Sequence, residues 1–243
     1  MSSAKRPPPS RRRSGAAPAV RPPRLPLHRP GPAGGARDAN RRARLGQIAE
    51  AALTLFLEQG ILAVSIDQIV ERAGVAKGSF YRYFRDKAEL VGALLEPLAT
   101  AIDHAFTDCR SALSRAATPE EVSASYLDLA RHVAAAIAAH PRAALLYLQE
   151  ARGPAAGART TIRQLADEVA DRAEQLSRHA CDHGLLRPLD PRVQGLVVLG
   201  AVERLLYEFL SGRRIAARPE AVAAMVVSII LDGVRLPREA NQR

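Results

Sequence analysis

The chain has 243 residues, a formal net charge of +10, 47% hydrophobic residues and two cysteines. That length suits two modules with room for a real core, and two single thiols exclude a disulfide framework and fit a reducing, cytoplasmic compartment. No apolar run reaches the ~20 residues a bilayer demands, and no phosphate loop, nucleophile elbow, paired catalytic carboxylates or metal motif of recognised spacing is present, so no enzyme, cofactor or metal site is expected.

The charge is unevenly placed. Residues 1–37 hold nine of the cations, no acid and nine of the 17 prolines, which supplies nearly the whole net charge. With almost no bulky apolar residues this segment is expected to be a disordered basic tail. It reads either as an arm adding salt-sensitive DNA affinity or as an extended leader. Arg11-Arg12-Arg13-Ser14 is followed by small residues and prolines, so a secretory or twin-arginine signal is not expected.

Next comes an ordered entry carrying Arg41, Arg42 and Arg44, then a helical stretch with Ala52, Leu55, Phe56 and Gly60. Ser65 with Gln68 makes a capping box for a short helix whose stripe is Ile66, Ile69 and Val70. Gly74 follows where a left-handed residue is cheapest, and a second short helix starts at Ala76 and runs through Arg82. This is a helix-turn-helix pattern. On its second helix Lys77, Ser79, Tyr81, Arg82 and Tyr83 suit phosphates and base edges, while Val75, Phe80 and Phe84 are left for the core. From Asp38 to Leu90 eight cations stand against seven acids, a net of +1, so placement and not bulk charge points to DNA. Lys87, a cation in the first turn of the following helix, opposes the helix dipole and is expected to serve a phosphate.

The ordered string Ala52, Phe56, Gly60, Ser65, Ile69, Ala73-Gly74-Val75, Gly78, Tyr81, Phe84, Lys87, Leu90 resembles the DNA-binding domain of the tetracycline-repressor (TetR) family over residues 39–90. The departures are Ala76, where a capping Ser or Thr is usual, and Val70 in place of Ala. After the tail (1–37), the resemblance implies an all-α chain: a three-helix DNA-binding head (38–90) and a helical ligand-binding and dimerisation domain (91–243). It implies phosphate contacts for Tyr81 and Lys87, with Lys77, Ser79, Arg82 or Tyr83 nearer the bases and Ser65 and Gly78 within the DNA-binding set.

Beyond Leu90, prolines and glycines set the breaks. A helix from about Asp86 to Arg115 carries Leu94, Leu98, Ile102, Phe106 and Cys109 on one face, with Pro97 as a kink. Thr118-Pro119-Glu120-Glu121 starts another, with Val122, Tyr126, Leu129, Val133 and Ile137, stopping at His140-Pro141. A short helix (141–152), a GPAAG loop (153–157) and a long helix (159–183) ended by Gly184 follow. His179 and His183 share a face of that helix, but no third or fourth ligand is evident, and no metal is expected.

Two helices close the chain, one capped by Asp190-Pro191 and one started by Arg218-Pro219, the first apolar almost all round and so expected to be buried on both sides. The apolar run from Ala221 to Leu231, about 11 residues, is too short to span a bilayer. A four-helix seam between two copies satisfies both, as the resemblance also implies, with Leu196, Gly200, Leu205, Phe209, Met225 and Ile229 at the interface. The family likeness further implies a small-molecule cavity in this domain. Phe106, Cys109, Tyr126, Tyr147 and Glu150 are the candidate lining, each equally a residue that a helical core could bury.

The expectation is therefore a homodimeric transcriptional regulator, a repressor that leaves a palindromic double-stranded DNA operator when a small hydrophobic effector enters. The alternative is an architectural DNA-binding protein whose helical domain only dimerises.

Overall fold

The computed structural model describes residues 36–213 and 219–234, which form nine helices among the described residues. The expected basic tail falls almost wholly outside them. Ala36 and Arg37, placed with that tail by composition, instead begin the first helix, α1 (Ala36–Gln59).

Local chemistry explains the head. One face of α1 buries Ile48, Ala51, Ala52, Leu55 and Phe56, and Gly60 ends it at φ 82. Ser65 Oγ accepts the Gln68 N–H at 3.2 Å while Gln68 Oε1 accepts the Ser65 N–H at 2.7 Å, the reciprocal cap that starts α2 (Ile66–Ala73). Gly74 at φ 64 closes α2 and points the chain into α3 (Lys77–Tyr83). Ala76 is the N-cap of α3 and supplies no side-chain bond. The absent cap is worth about 1 kcal/mol, whereas burying Phe80 contributes ~1.5–3 kcal/mol. Packing rather than capping therefore fixes α3. Asp86 caps α4 (Lys87–Leu113) by accepting the Glu89 N–H at 2.9 Å, and α4 continues through an exposed Pro97.

The rest alternates capped starts and forced stops. Thr118 and Glu121 form the expected capping box of α5 (Pro119–Ala139), and His140-Pro141 turns the chain into α6 (Pro141–Glu150). α7 (Arg159–Asp182) ends before Gly184 at φ 68; α8 (Pro191–Leu210) is capped by Asp190, and α9 (Pro219–Val234) follows. α4 packs on α5 and α7, α7 on α8, α6 on α8, and α9 on α5.

One core runs from Ile48 and Phe56 in α1 through Phe80, Leu90 and Leu98 to Leu146 and Ile162, so the head is not packed separately from α6 and α7. A smaller cluster, Cys109, Leu113, Val122, Leu176, Ala180, Leu186 and Leu231, fills the other end of α4. Within one chain α8 is not buried on both sides: only Gln194 and Gly195 are buried, and Val193, Leu196, Val197 and Phe209 are exposed. A Cβ on Gly195 would lie 2.9 Å from the Glu174 backbone N, which is why α8 can press against α7 there.

Candidate nucleic-acid interface

The exposed side of α3 carries Lys77, Gly78, Tyr81 and Arg82, while Phe80 on the opposite side is fully buried. Tyr81 is held upright by an edge-on contact with Phe80, ring centroids 5.5 Å apart, and leaves 51% of its surface exposed. Gly78 is informative. A Cβ there would meet nothing within 4 Å, yet glycine inside a helix costs about 1 kcal/mol against alanine. Nothing among the described residues requires it, and its effect is to leave the outer surface low enough for another backbone to approach. Arg82 makes no ion pair among the described residues, so its charge is available. Arg41, Arg42 and Arg44 are exposed along the first half of α1.

Several expected contacts are already committed elsewhere. Ser65 is occupied by its capping box. Ser79 is half-buried, and the Tyr83 ring packs against the core, so Tyr83 does not belong to the outward face. Lys87 was expected to look outward because a first-turn cation opposes the dipole. Instead its Nζ donates to the Ile61 carbonyl at 2.6 Å and the Val64 carbonyl at 2.5 Å, and partial burial lowers its pKa below the usual lysine value. These acceptors compensate the dipole from within, so the argument for a phosphate no longer holds; one of its three N–H groups is left over.

Sequence reasoning missed Asp67. Its Oδ1 lies 2.7 Å from Lys77 Nζ, and that hydrogen bond and charge raise the lysine's pKa above its usual value. The two residues sit on different helices, so no periodicity signals the pair.

The five expected cavity residues do not all meet. Phe106, Cys109 and Tyr126 belong to the smaller cluster, whereas Tyr147 lies in the main core and Glu150 beside the head. Burial pushes the Cys109 thiol up to about 12 and raises Tyr126 as well. Tyr147 donates to Glu203 Oε1 at 2.8 Å; burial, then the Glu203 charge, raise its phenol. Glu150, 5% exposed, accepts from Arg159 and from the Ile61 N–H, which leaves it no free role in a cavity. A groove of about 350 Å³ lies between α4 and α7 and is lined by Phe106 and Leu176 together with Asp103, Arg110, Glu168 and Arg172. Among the described residues no three metal-ligating side chains gather. His179 and His183 stack at 4.1 Å, with His179 Nε2 3.0 Å from Ser114 Oγ and His183 Nδ1 2.8 Å from the His179 carbonyl.

Residues 48–94 match the family model described as bacterial regulatory proteins, tetR family. By this match the helix-turn-helix segment is of the TetR type. Among curated relatives, the HTH-type transcriptional regulator TtgR of Pseudomonas putida is 45% identical over 58 residues, 24% of this chain and 28% of that protein. The transcriptional activator FasR of Mycolicibacterium smegmatis is 39% identical over 85 residues, 34% of this chain and 37% of that protein. The aligned part thus spans about a third of these relatives' length. Beyond the head the TetR likeness is one of fold. The structure of FadR from Bacillus subtilis in complex with stearoyl-CoA superposes with a TM-score of 0.56 at 19% identity, covering 78% of this chain and 99% of that one. No described helix is long and apolar enough to cross a membrane.

Proposed function

We propose that this chain is a homodimeric, effector-responsive transcriptional regulator, a repressor that binds a palindromic operator through α3 and leaves it when a small hydrophobic molecule binds between its helices. Residues 38–90 are the reading head and residues 91–243 carry effector binding and dimerisation. The observation that carries the DNA reading is the outward face of α3: two cations, a phenol and a glycine the chain's own packing does not need, opposite a fully buried Phe80. Arg82 and Lys77 are suited to base edges or phosphates, and Tyr81 to a phosphate.

Dimerisation is supported by the apolar surface of the last two helices. Leu196, Phe209, Met225 and Ile229 are exposed in one chain, Ile229 at 72%, while Gly200 and Leu205 are half-buried. On α8, Val193, Leu196, Val197 and Gly200 share one side by helical spacing. A Cβ on Gly200 would meet nothing within 4 Å, so a second helix could approach closely there.

For the effector, the support is the shared fold with a transcriptional regulator crystallised with stearoyl-CoA, and the groove beside Phe106. Its charged rim suits an apolar molecule with an ionised end.

Selection of duplexes from a random pool by the full chain tests the function. The proposal expects a palindrome preferred by at least ~10³ over random duplex. Little preference, with affinity that collapses when residues 1–37 are removed, would mean an architectural DNA-binding protein instead.

A further inference from the structure

Two charged side chains hold the turn between α1 and α2 at a single residue. Glu150, the last residue of α6, accepts the Ile61 N–H through Oε1 at 2.9 Å. Its other oxygen accepts Arg159 Nε, from the start of α7, at 2.5 Å. Lys87 of α4 donates to the Ile61 carbonyl at 2.6 Å. Ile61 itself is fully buried.

The surroundings fit this contact closely. A Cβ on Gly60 would lie 3.1 Å from Glu150 Oε1, and one on Gly153 2.8 Å from the Arg159 guanidinium. Both glycines leave room for the pair. A second link runs from the other end of α6 to α1, where Arg142 bonds Glu50 and Thr54, the latter at 2.6 Å. From the middle of α6, Tyr147 reaches Glu203 on α8. One ten-residue helix therefore touches the reading head at both ends and the apolar helix α8 between them.

We propose that Glu150 is the positioning residue of the DNA-reading head: its carboxylate ties the Ile61 peptide to α6 and α7 and so sets the direction in which each α3 is presented. This rests on the DNA-binding dimer proposed above. The joint works as a rigid clamp because a carboxylate has an oxygen for each of its two donors. Any movement of α6 or α7 must carry Ile61 with it or break a charge-assisted bond in a buried place. Motion of the groove between α4 and α7 would reach the head by this route.

Glu150→Gln tests the clamp. An amide offers one acceptor oxygen where the carboxylate offered two, and the charged Arg159 takes it, leaving an N–H₂ group facing the Ile61 N–H. The head is released while side-chain size is kept. Glu150→Met combined with Arg159→Met removes both charges, a replacement buried ion pairs often tolerate, and also leaves Ile61 without its acceptor. Each full-length variant is compared with wild type on the selected operator and on the same operator with one base pair inserted between its half-sites. Melting and sedimentation confirm that each variant is folded and dimeric. Wild type should lose about tenfold or more on the insertion, within the range of couplings between sites, and the variants less than about threefold, with base preference inside each half-site kept. A merely structural contact would lower the melting temperature and leave the spacing penalty intact, and that result would overturn the proposal. So would a charge-free pair that cannot fold, or a wild type indifferent to the insertion. A wild type that selects no operator would remove the DNA reading itself, and this inference with it.

Discussion

Lys77 Nζ of α3 lies 2.7 Å from Asp67 Oδ1 of α2, so the first cation of the reading helix already holds a counter-charge before any DNA arrives. Both side chains are more than half exposed. The pair therefore does little for the fold. Its effect falls on binding, because a phosphate or a base must compete with Asp67 for Lys77.

Asp67→Asn should accordingly strengthen binding to random duplex more than binding to the operator, and steepen the salt dependence by about one counterion. Lys77→Ala should do the reverse. Fluorescence anisotropy over a salt series measures both; unchanged slopes in the two variants would mean that Lys77 does not face DNA.

Ala76→Ser supplies the missing cap of α3. Stability should rise by ~0.5–1 kcal/mol, read as an increase in the denaturant midpoint. No increase would show that packing around Phe80 leaves the first turn of α3 unable to use a cap.

The head was legible in the sequence because its signals are local. Ser65 with Gln68, and Gly74, act within a few residues of themselves, as Thr118 with Glu121 do further along, and each stands at the helix end it announced. What stayed hidden depends on contacts far apart in the chain. Lys87 looked like a misplaced first-turn cation until the Ile61 and Val64 carbonyls came within reach of it. Glu150, on an apolar helix, looked like a cavity residue, and only its meeting with Ile61, 89 positions away, makes it a clamp. The apolar sequence of α8 told of burial but not of what buries it. One chain covers Gly195 against α7 and leaves Val197 bare.

Glu121 accepts the Ala117 and Thr118 N–H groups at 2.7 and 3.1 Å, and these bonds hold its carboxyl below the ordinary value of 4.5. A depressed acid contributes stability above its unfolded value and loses it as the pH falls through the folded one. Melting temperature should therefore fall as the solution is acidified below 4.5, and Glu121→Gln should remove part of that fall. Parallel curves for variant and wild type would rule out this contribution.

With its thiol near 12 and its side chain buried, Cys109 should resist a thiol reagent at pH 8 in the native state, whereas half-exposed Cys181 should react first. Mass spectrometry should find one modified cysteine before unfolding and two after. Rapid modification of Cys109 would mean that the cluster around Tyr126 opens readily.

Val197→Arg and Ile229→Arg change residues that are 64% and 72% exposed in one chain, so the isolated subunit should fold normally. In the proposed seam each would bury an unpaired charge, and a penalty of roughly 3 kcal/mol weakens dimerisation about a hundredfold. Variants that remain as dimeric as wild type would place the seam elsewhere.

The most direct test of a dimeric operator-binding protein is sedimentation of the wild-type chain, free and mixed with its selected duplex. Two chains in the free species at micromolar concentration, and two chains per palindromic duplex, are the predicted result. A free monomer, or chains that accumulate on the duplex in proportion to its length, would contradict it.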